Sequence, residues 1–360
     1  MSTVKNLLIN HPSKPMLRHG DLAGEQSSIS INEASDIVKK YFGIIAKFKR
    51  FESEKDDTFL VNTVKGEKFV LKVANANEKI DEIKMQQSIL KHIQITTPSL
   101  PVPRIKLNVD HEDIFQIEDK SGTKRYARMI TFIEGTPLCD TNSNSKERQD
   151  VGRILARLED STKNFSHSGA DRYYAWDVQN LLTLEPLLKW VSEPSHRSAL
   201  EKGLERFEMI SPILKKCRKQ ILHNDFSKSN IIVDHKSNNF VKGIIDFGDT
   251  VRTAIAVDVS TALLNQLPEK PHNNIFADSL DLMEGYSSIA TLTNEELEII
   301  PHLVMGRVVA RALITHWRKN LFPDNETYIM RNTERGWHQL DWFLSRPKEQ
   351  ISDILIRFSI

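Results

Sequence analysis

Between residues 221 and 249 the chain reads ILHNDFSKSNIIVDHKSNNFVKGIIDFGD, and three oxygen-bearing side chains in it are spaced for joint work. Asp225 lies five residues before Asn230, which opens an apolar run, and Asp246 closes a second apolar run sixteen residues after Asn230. Two short antiparallel strands joined by the polar HKSNNF loop would bring Asn230 and Asp246 together. An amide oxygen and a carboxylate, with phosphate oxygens and water completing the shell, suit Mg2+, which rarely takes an all-protein cage. Asp225 is then the group to take a proton from an attacking hydroxyl. Phosphoryl transfer to an alcohol is the chemistry these residue types allow. His223 reads as a structural residue that hydrogen-bonds the loop, and Lys228 as either a charge stabiliser or a solvated loop lysine.

The elements that must position these groups are legible upstream. Residues 58–64 and 68–74 flank the turn-like Lys65, Gly66 and Glu67, predicting a β-hairpin. In its second arm Phe69, Leu71 and Val73 share one face, leaving Val70 and Lys72 on the other. Residues 30–42 read as a helix with a Ser30–Glu33 capping box, ended by Gly43. Residues 78–93 read as another, with its apolar arc centred near Gln86. Extended segments are predicted at 100–108, 114–117 and 126–132, and helical patterns dominate from Glu147 onward. The composition shifts near Gly135, with Ile133, Glu134 and Gly135 as a hinge. The order lysine, hinge, catalytic loop, metal aspartate is that of kinases. We therefore expect an α+β, bilobal protein-kinase-like fold. Its β-sheet lobe with helices would span residues 1–133, and a larger, mainly helical lobe would span 134–360.

Composition narrows the class. Lys and Arg number 49 against 48 Asp and Glu, a net charge of +1, so no global field draws the chain to nucleic acid or to an anionic membrane. Neither is expected as a partner. Two cysteines, Cys139 and Cys217, form no CxxC pair and suit a reducing compartment. No window approaches the roughly 18 apolar residues of a membrane span, and the apolar run at 7–9 is too short for a signal-peptide core. A cytoplasmic address is the expectation. His19, Gly20 and Asp21 repeat the spacing of His223 and Asp225, but Gln26 stands five residues beyond Asp21, so the match is read as coincidence.

The sequence resembles the aminoglycoside phosphotransferase-like family of small-molecule kinases, and within it the hydroxylysine kinase branch, whose donor is GTP. Its carriers are SEKDDTFLV at 53–61, FVLKV at 69–73, the Gln86 helix, MITFIEGTPL at 129–138, the catalytic segment, and GRVVARAL with FPDN within 306–325. The resemblance implies transfer from a nucleoside triphosphate, ATP or GTP, to an alcohol on a small amine or amino acid. It implies Asp225 as catalytic base, Asn230 and Asp246 as Mg2+ ligands, and Lys72 as phosphate anchor. Ser53, Asp56 and Thr58 fall in the loop over the nucleotide, and hinge residue Ile133 joins them. Gln86 stands where kinase-like enzymes place the glutamate that pairs with the lysine; it is favoured to face Lys72 over Glu82, one turn earlier. Asn224 stands where relatives usually carry glycine, and Thr58 where asparagine is common.

For the acceptor, two readings stand for each candidate. Arg307 binds a carboxylate or makes a surface ion pair; Trp176 and Asp177 line the pocket or pack and cap; Asp249 and Asp258 bind an ammonium or brace the catalytic loop. The rival functions are an aminoglycoside or amino-alcohol phosphotransferase and a catalytically weak nucleotide-binding module. A protein kinase fits poorly, since no GxGxxG precedes Lys72 and no APE follows DFGD.

Overall fold

Ser30 accepts a hydrogen bond from the Glu33 N–H while Glu33 accepts one from the Ser30 N–H, the reciprocal cap that starts α1 (Ile31–Phe42). Gly43, at φ 64°, ends it in the left-handed conformation that glycine adopts without penalty. The computed structural model describes residues 29–53 and 56–359, so the HGD letters at 19–21 and the apolar run at 7–9 lie outside the described residues. Strands β1 (Ala46–Phe51), β2 (Asp57–Thr63) and β3 (Lys68–Val73) form an antiparallel meander whose second turn uses Gly66 at φ 84°. Helix α2 (Ile80–Thr96) follows, then β4 (Ile105–Lys106), β5 (Phe115–Glu118) and β6 (Lys124–Thr131). The sheet runs β1-β2-β3-β6-β4, with β5 also on β6.

Period-two alternation sorts β3 as expected. Phe69, Leu71 and Val73 join a small core with Ala34 and Val38 of α1, and Lys72 faces the other way. The extended stretch predicted at 100–108 shrinks to the two residues of β4. Pro101 and Pro103 have no N–H to give a ladder, so pairing cannot begin before them.

After β7 (Thr136–Pro137) the chain turns helical. It forms α3 (Ser145–Thr162), a 3-10 stretch Val178–Trp190, α4 (Pro194–Leu214), the short strands β8 (Lys219–Leu222), β9 (Ile231–Val233), β10 (Val241–Ile244) and β11 (Val251–Ala254), then α5 (Ile255–Leu264), α6 (Ala277–Ser287) and α7 (Asn294–Leu321). Shorter helical segments complete it to Phe358. β9 lies between β10 and β7, and β8 pairs with β11. Helices α3 and α6 meet backbone to backbone: a Cβ on Gly152 would strike the Leu282 carbonyl, and one on Gly285 the Gln149 carbonyl. A second, larger core fills this part, and Met85, Ile89, Leu90 and Ile93 of α2 belong to it. Helix α2 precedes residues 133–135 in sequence yet packs with the helices that follow them. Among the described residues, no helix is long and apolar enough to cross a membrane.

Candidate active site

The loop between β8 and β9 is fixed from both sides. The His223 Nδ1 accepts the Asp225 N–H at 3.2 Å, which leaves the Nε2–H to donate to the Ile245 carbonyl at 3.0 Å. One imidazole therefore ties this loop to the residue before Asp246. Asn224 has φ 62°, and its N–H donates to Asp258 Oδ1 at 2.8 Å. Only glycine, asparagine and aspartate visit that region readily, which accounts for asparagine at a position where glycine is usual. Asp258 is wholly buried on α5, and burial, opposed by His223, pushes its carboxyl up to about 6. The Asn224 side-chain amide is also buried and finds no hydrogen-bond partner among the described residues. Asn224→Val, β-branched at positive φ, is expected to be less stable than Asn224→Gly by about 1–3 kcal/mol. Chemical denaturation of the two variants checks this, and equal stabilities would refute it.

Asn230 closes the loop. Its Nδ2 donates to the Asp225 carboxylate at 2.7 Å and to the Asp225 carbonyl at 3.0 Å, which leaves the amide oxygen as the group to meet a cation. The strand pair predicted to bring Asn230 to Asp246 forms, with Ile231 opposite Ile244 and the Ile245 N–H donating to the Asn230 carbonyl at 2.9 Å. Asp246 sits at φ 61° with its side chain 53% exposed. Burial first, then the negative charges of Asp249 and Asp246, push the Asp225 carboxyl up to about 7, against Arg307. A group poised near neutrality is matched to accepting a proton from an alcohol. Among the described residues, no group of three or more His, Cys, Asp or Glu is set to hold a metal. A pair of oxygen ligands with substrate phosphates is the arrangement Mg2+ uses.

Lys72 Nζ lies 3.2 Å from Asp246 Oδ1 and 3.4 Å from Asp56 Oδ2. Burial works to lower its pKa, but Asp246 and Asp56 outweigh it and hold the ammonium above its ordinary value. The pairing expected from α2 is corrected. Gln86 Oε1 accepts from Arg128 Nη2 at 2.7 Å and its Nε2 donates to Glu78 at 3.3 Å, so its amide is engaged on both sides. Glu82 pairs with Arg172 at 2.5 Å, and that arginine also donates to the carbonyls of Gly248 and Thr250. Arg128 takes Gln86 because β6 places it directly opposite Lys72. Sequence reading missed Arg128 altogether; its only signal was a charged residue inside an apolar strand.

The remaining candidates spread around this centre. Thr58 is not in a loop but in β2, opposite Lys72 and nearly buried. Ser53 is exposed, two residues beyond the end of β1. Ile133 covers Gly243 of β10, where a Cβ would lie 2.6 Å from its Cγ2. Asp249 accepts from the Tyr174 hydroxyl at 2.5 Å. Arg307, on α7, donates to the carbonyls of Trp176 at 3.3 Å and Asn224 at 3.5 Å. Trp176 packs partly buried on the larger core, while Asp177 caps the 3-10 stretch and accepts from Thr253 at 3.0 Å. Of the two acids with open roles, Asp258 braces the loop.

The model of the phosphotransferase enzyme family matches residues 47–290, which include Lys72, the catalytic loop and Asp246. The chain belongs to that family. Hydroxylysine kinase of Mus musculus is 24% identical over 361 residues, spanning 92% of this chain and 95% of that protein. A microcompartment-associated aminopropanol kinase shares the fold at a TM-score of 0.72 and 16% identity, covering 89% of this chain and all of that one. An amicoumacin kinase, solved in complex with AMP-PNP and Ca2+, does so at 0.66 and 16% identity over 86% and 94% of the two chains. The expected kinase-like α+β fold and a phosphotransferase with an alcohol acceptor agree with these relatives.

Proposed function

We propose that this phosphotransferase moves the γ-phosphoryl group of ATP or GTP to a hydroxyl of a small amino acid or amine of the hydroxylysine type. The observation that supports the reading is a linked set of groups, Asp225 bonded to Asn230 and Lys72 paired with Asp246, joined by the Ile245–Asn230 backbone bond beside Asp246. Asp225 orients the acceptor hydroxyl and takes its proton as the oxygen attacks phosphorus in line. Lys72 fixes the donor phosphates. Asn230 and Asp246 are the residues to hold Mg2+, which when bound neutralises charge on the phosphates. Catalysis is then mostly positioning and electrostatics. The thiols of Cys139 and Cys217 are free, which accords with a cytoplasmic address.

An amino acid is favoured over a plain amino alcohol by Arg307. Its hydrogen bonds go to two carbonyls, and no carboxylate lies within ion-pair distance among the described residues. One turn on, Arg311 likewise donates only to a carbonyl, that of Asn332, at 3.2 Å. Burial first, then Arg335 and Arg307, push Arg311 down to about 9. Such a region favours an anionic group on the acceptor, and we assign the acceptor's ammonium to Asp249.

The test is a coupled assay crossing ATP and GTP with hydroxylysine, homoserine, choline, ethanolamine and an aminoglycoside. We expect turnover with hydroxylysine or homoserine. Arg307→Ala should raise the KM for that amino acid about 10- to 150-fold, the worth of a charged hydrogen bond, and leave ethanolamine unchanged. Turnover confined to the aminoglycoside, or none at all, refutes the proposal.

A further inference from the structure

Lys72 and Arg128 stand directly opposite each other on β3 and β6, so two cations share one face of the sheet. Left alone, such a pair repels. Between them lies one oxygen, Asp56 Oδ2, at 3.4 Å from Lys72 Nζ and 2.9 Å from Arg128 Nη2. The same Nη2 donates to Gln86 Oε1 of α2 at 2.7 Å. The site is largely buried: side-chain exposure is 15% for Lys72, 6% for Asp56 and 3% for Arg128. Burial works against the Asp56 carboxylate, yet Arg128 and then Lys72 hold its pKa below the ordinary value.

A neutral amide on α2 cannot neutralise Lys72, and the lysine's nearer contact, Asp246, is the one assigned above to the metal. The lysine still needs a permanent counter-charge to stay aimed at the donor. We infer that Arg128 is a positioning residue for the nucleotide site: it fixes Asp56, which takes the place of the helix carboxylate, so that α2 aligns Lys72 through Gln86, Arg128 and Asp56 in series. The inference rests on Lys72 as the phosphate anchor. It moves the lysine's partner from the helix to the loop before β2, and it makes a neutral Gln86 sufficient because the charge is supplied elsewhere. Without Arg128, Lys72 is the cation left on Asp56 among the described residues and is drawn from the donor. Without Asp56, Lys72 is left with Asp246, the metal's residue, and Arg128 loses its carboxylate.

The experiment is calorimetric titration of the full chain with non-hydrolysable ATP and GTP analogues in Mg2+, using wild type, Arg128→Met, Arg128→Lys, Asp56→Asn and the Arg128→Met/Asp56→Asn double variant. Acceptor KM is measured alongside. We expect Arg128→Met to raise the Kd of the preferred nucleotide about tenfold or more, as coupled buried partners do, with Arg128→Lys recovering part of the loss. Acceptor KM should stay unchanged, and the double variant should bind no worse than Asp56→Asn alone. If wild type binds nucleotide and Arg128→Met matches it, or if the two losses add, Arg128 does not act through Asp56 and the inference falls. If wild type binds neither nucleotide, the functional reading falls and takes this inference with it.

Discussion

Asp225→Asn lowers turnover by about 10²–10⁴ while nucleotide affinity stays close to that of wild type. The replacement keeps the shape of the side chain and an oxygen for the Asn230 Nδ2, which now bonds Asp225 at 2.7 Å. It removes only the capacity to accept a proton. Loss of folding is not a rival explanation, and the sign of the linkage shows why. Burial raises the folded-state pKa of Asp225 from 3.8 to about 7, so the folded protein binds more protons than the unfolded chain between those values. Stability from this group is therefore greatest at low pH, is lost as pH rises through that window, and is absent above it. At pH 8 the neutral asparagine removes a buried charge, and the variant should melt no lower than its parent. Steady-state kinetics, calorimetry and thermal melts at pH 8 check the three parts. Unchanged turnover would remove Asp225 from the reaction.

The second large effect belongs to Asp246. Asp246→Asn is expected to cut turnover by about 10²–10³, the scale for losing one preorganised stabiliser of developing charge, and to abolish the gain in nucleotide affinity that Mg2+ confers. Asparagine is the right replacement because the residue sits at φ 61°, which alanine would occupy only with strain. The variant also deprives Lys72 of its contact at 3.2 Å and leaves it with Asp56. Nucleotide titrations with and without Mg2+ report the effect. An affinity that keeps its full Mg2+ dependence would exclude Asp246 as a ligand.

What could be read from the sequence was what is local. The cap of α1 lies within four residues, the β2–β3 hairpin turns on Gly66, and the β9–β10 pair sets Asn230 beside Ile245, so short-range pattern reaches all three. The partner of Lys72 was not legible. It depends on the β3–β6 register, which joins residues 56 apart, and on a loop carboxylate that turns inward ahead of β2. Asp56 and Asp57 look alike in sequence. Yet Asp56 goes to Arg128, and Asp57, one residue on, goes to Arg125 at 3.0 Å. The fate of Glu82 was hidden in the same way, because Arg172, which claims it, lies 90 residues away. Arg307 reaches the catalytic loop only through the packing of α7, which periodicity does not orient.

The bond between the His223 ring and the Ile245 carbonyl has a mechanical consequence. Asp225 and Asp246 are tied through one ring, which accepts from the Asp225 N–H and donates to the carbonyl of the residue before Asp246. If Asp225 and Asp246 act as proposed, the proton acceptor and the metal carboxylate are therefore aligned by the same ring.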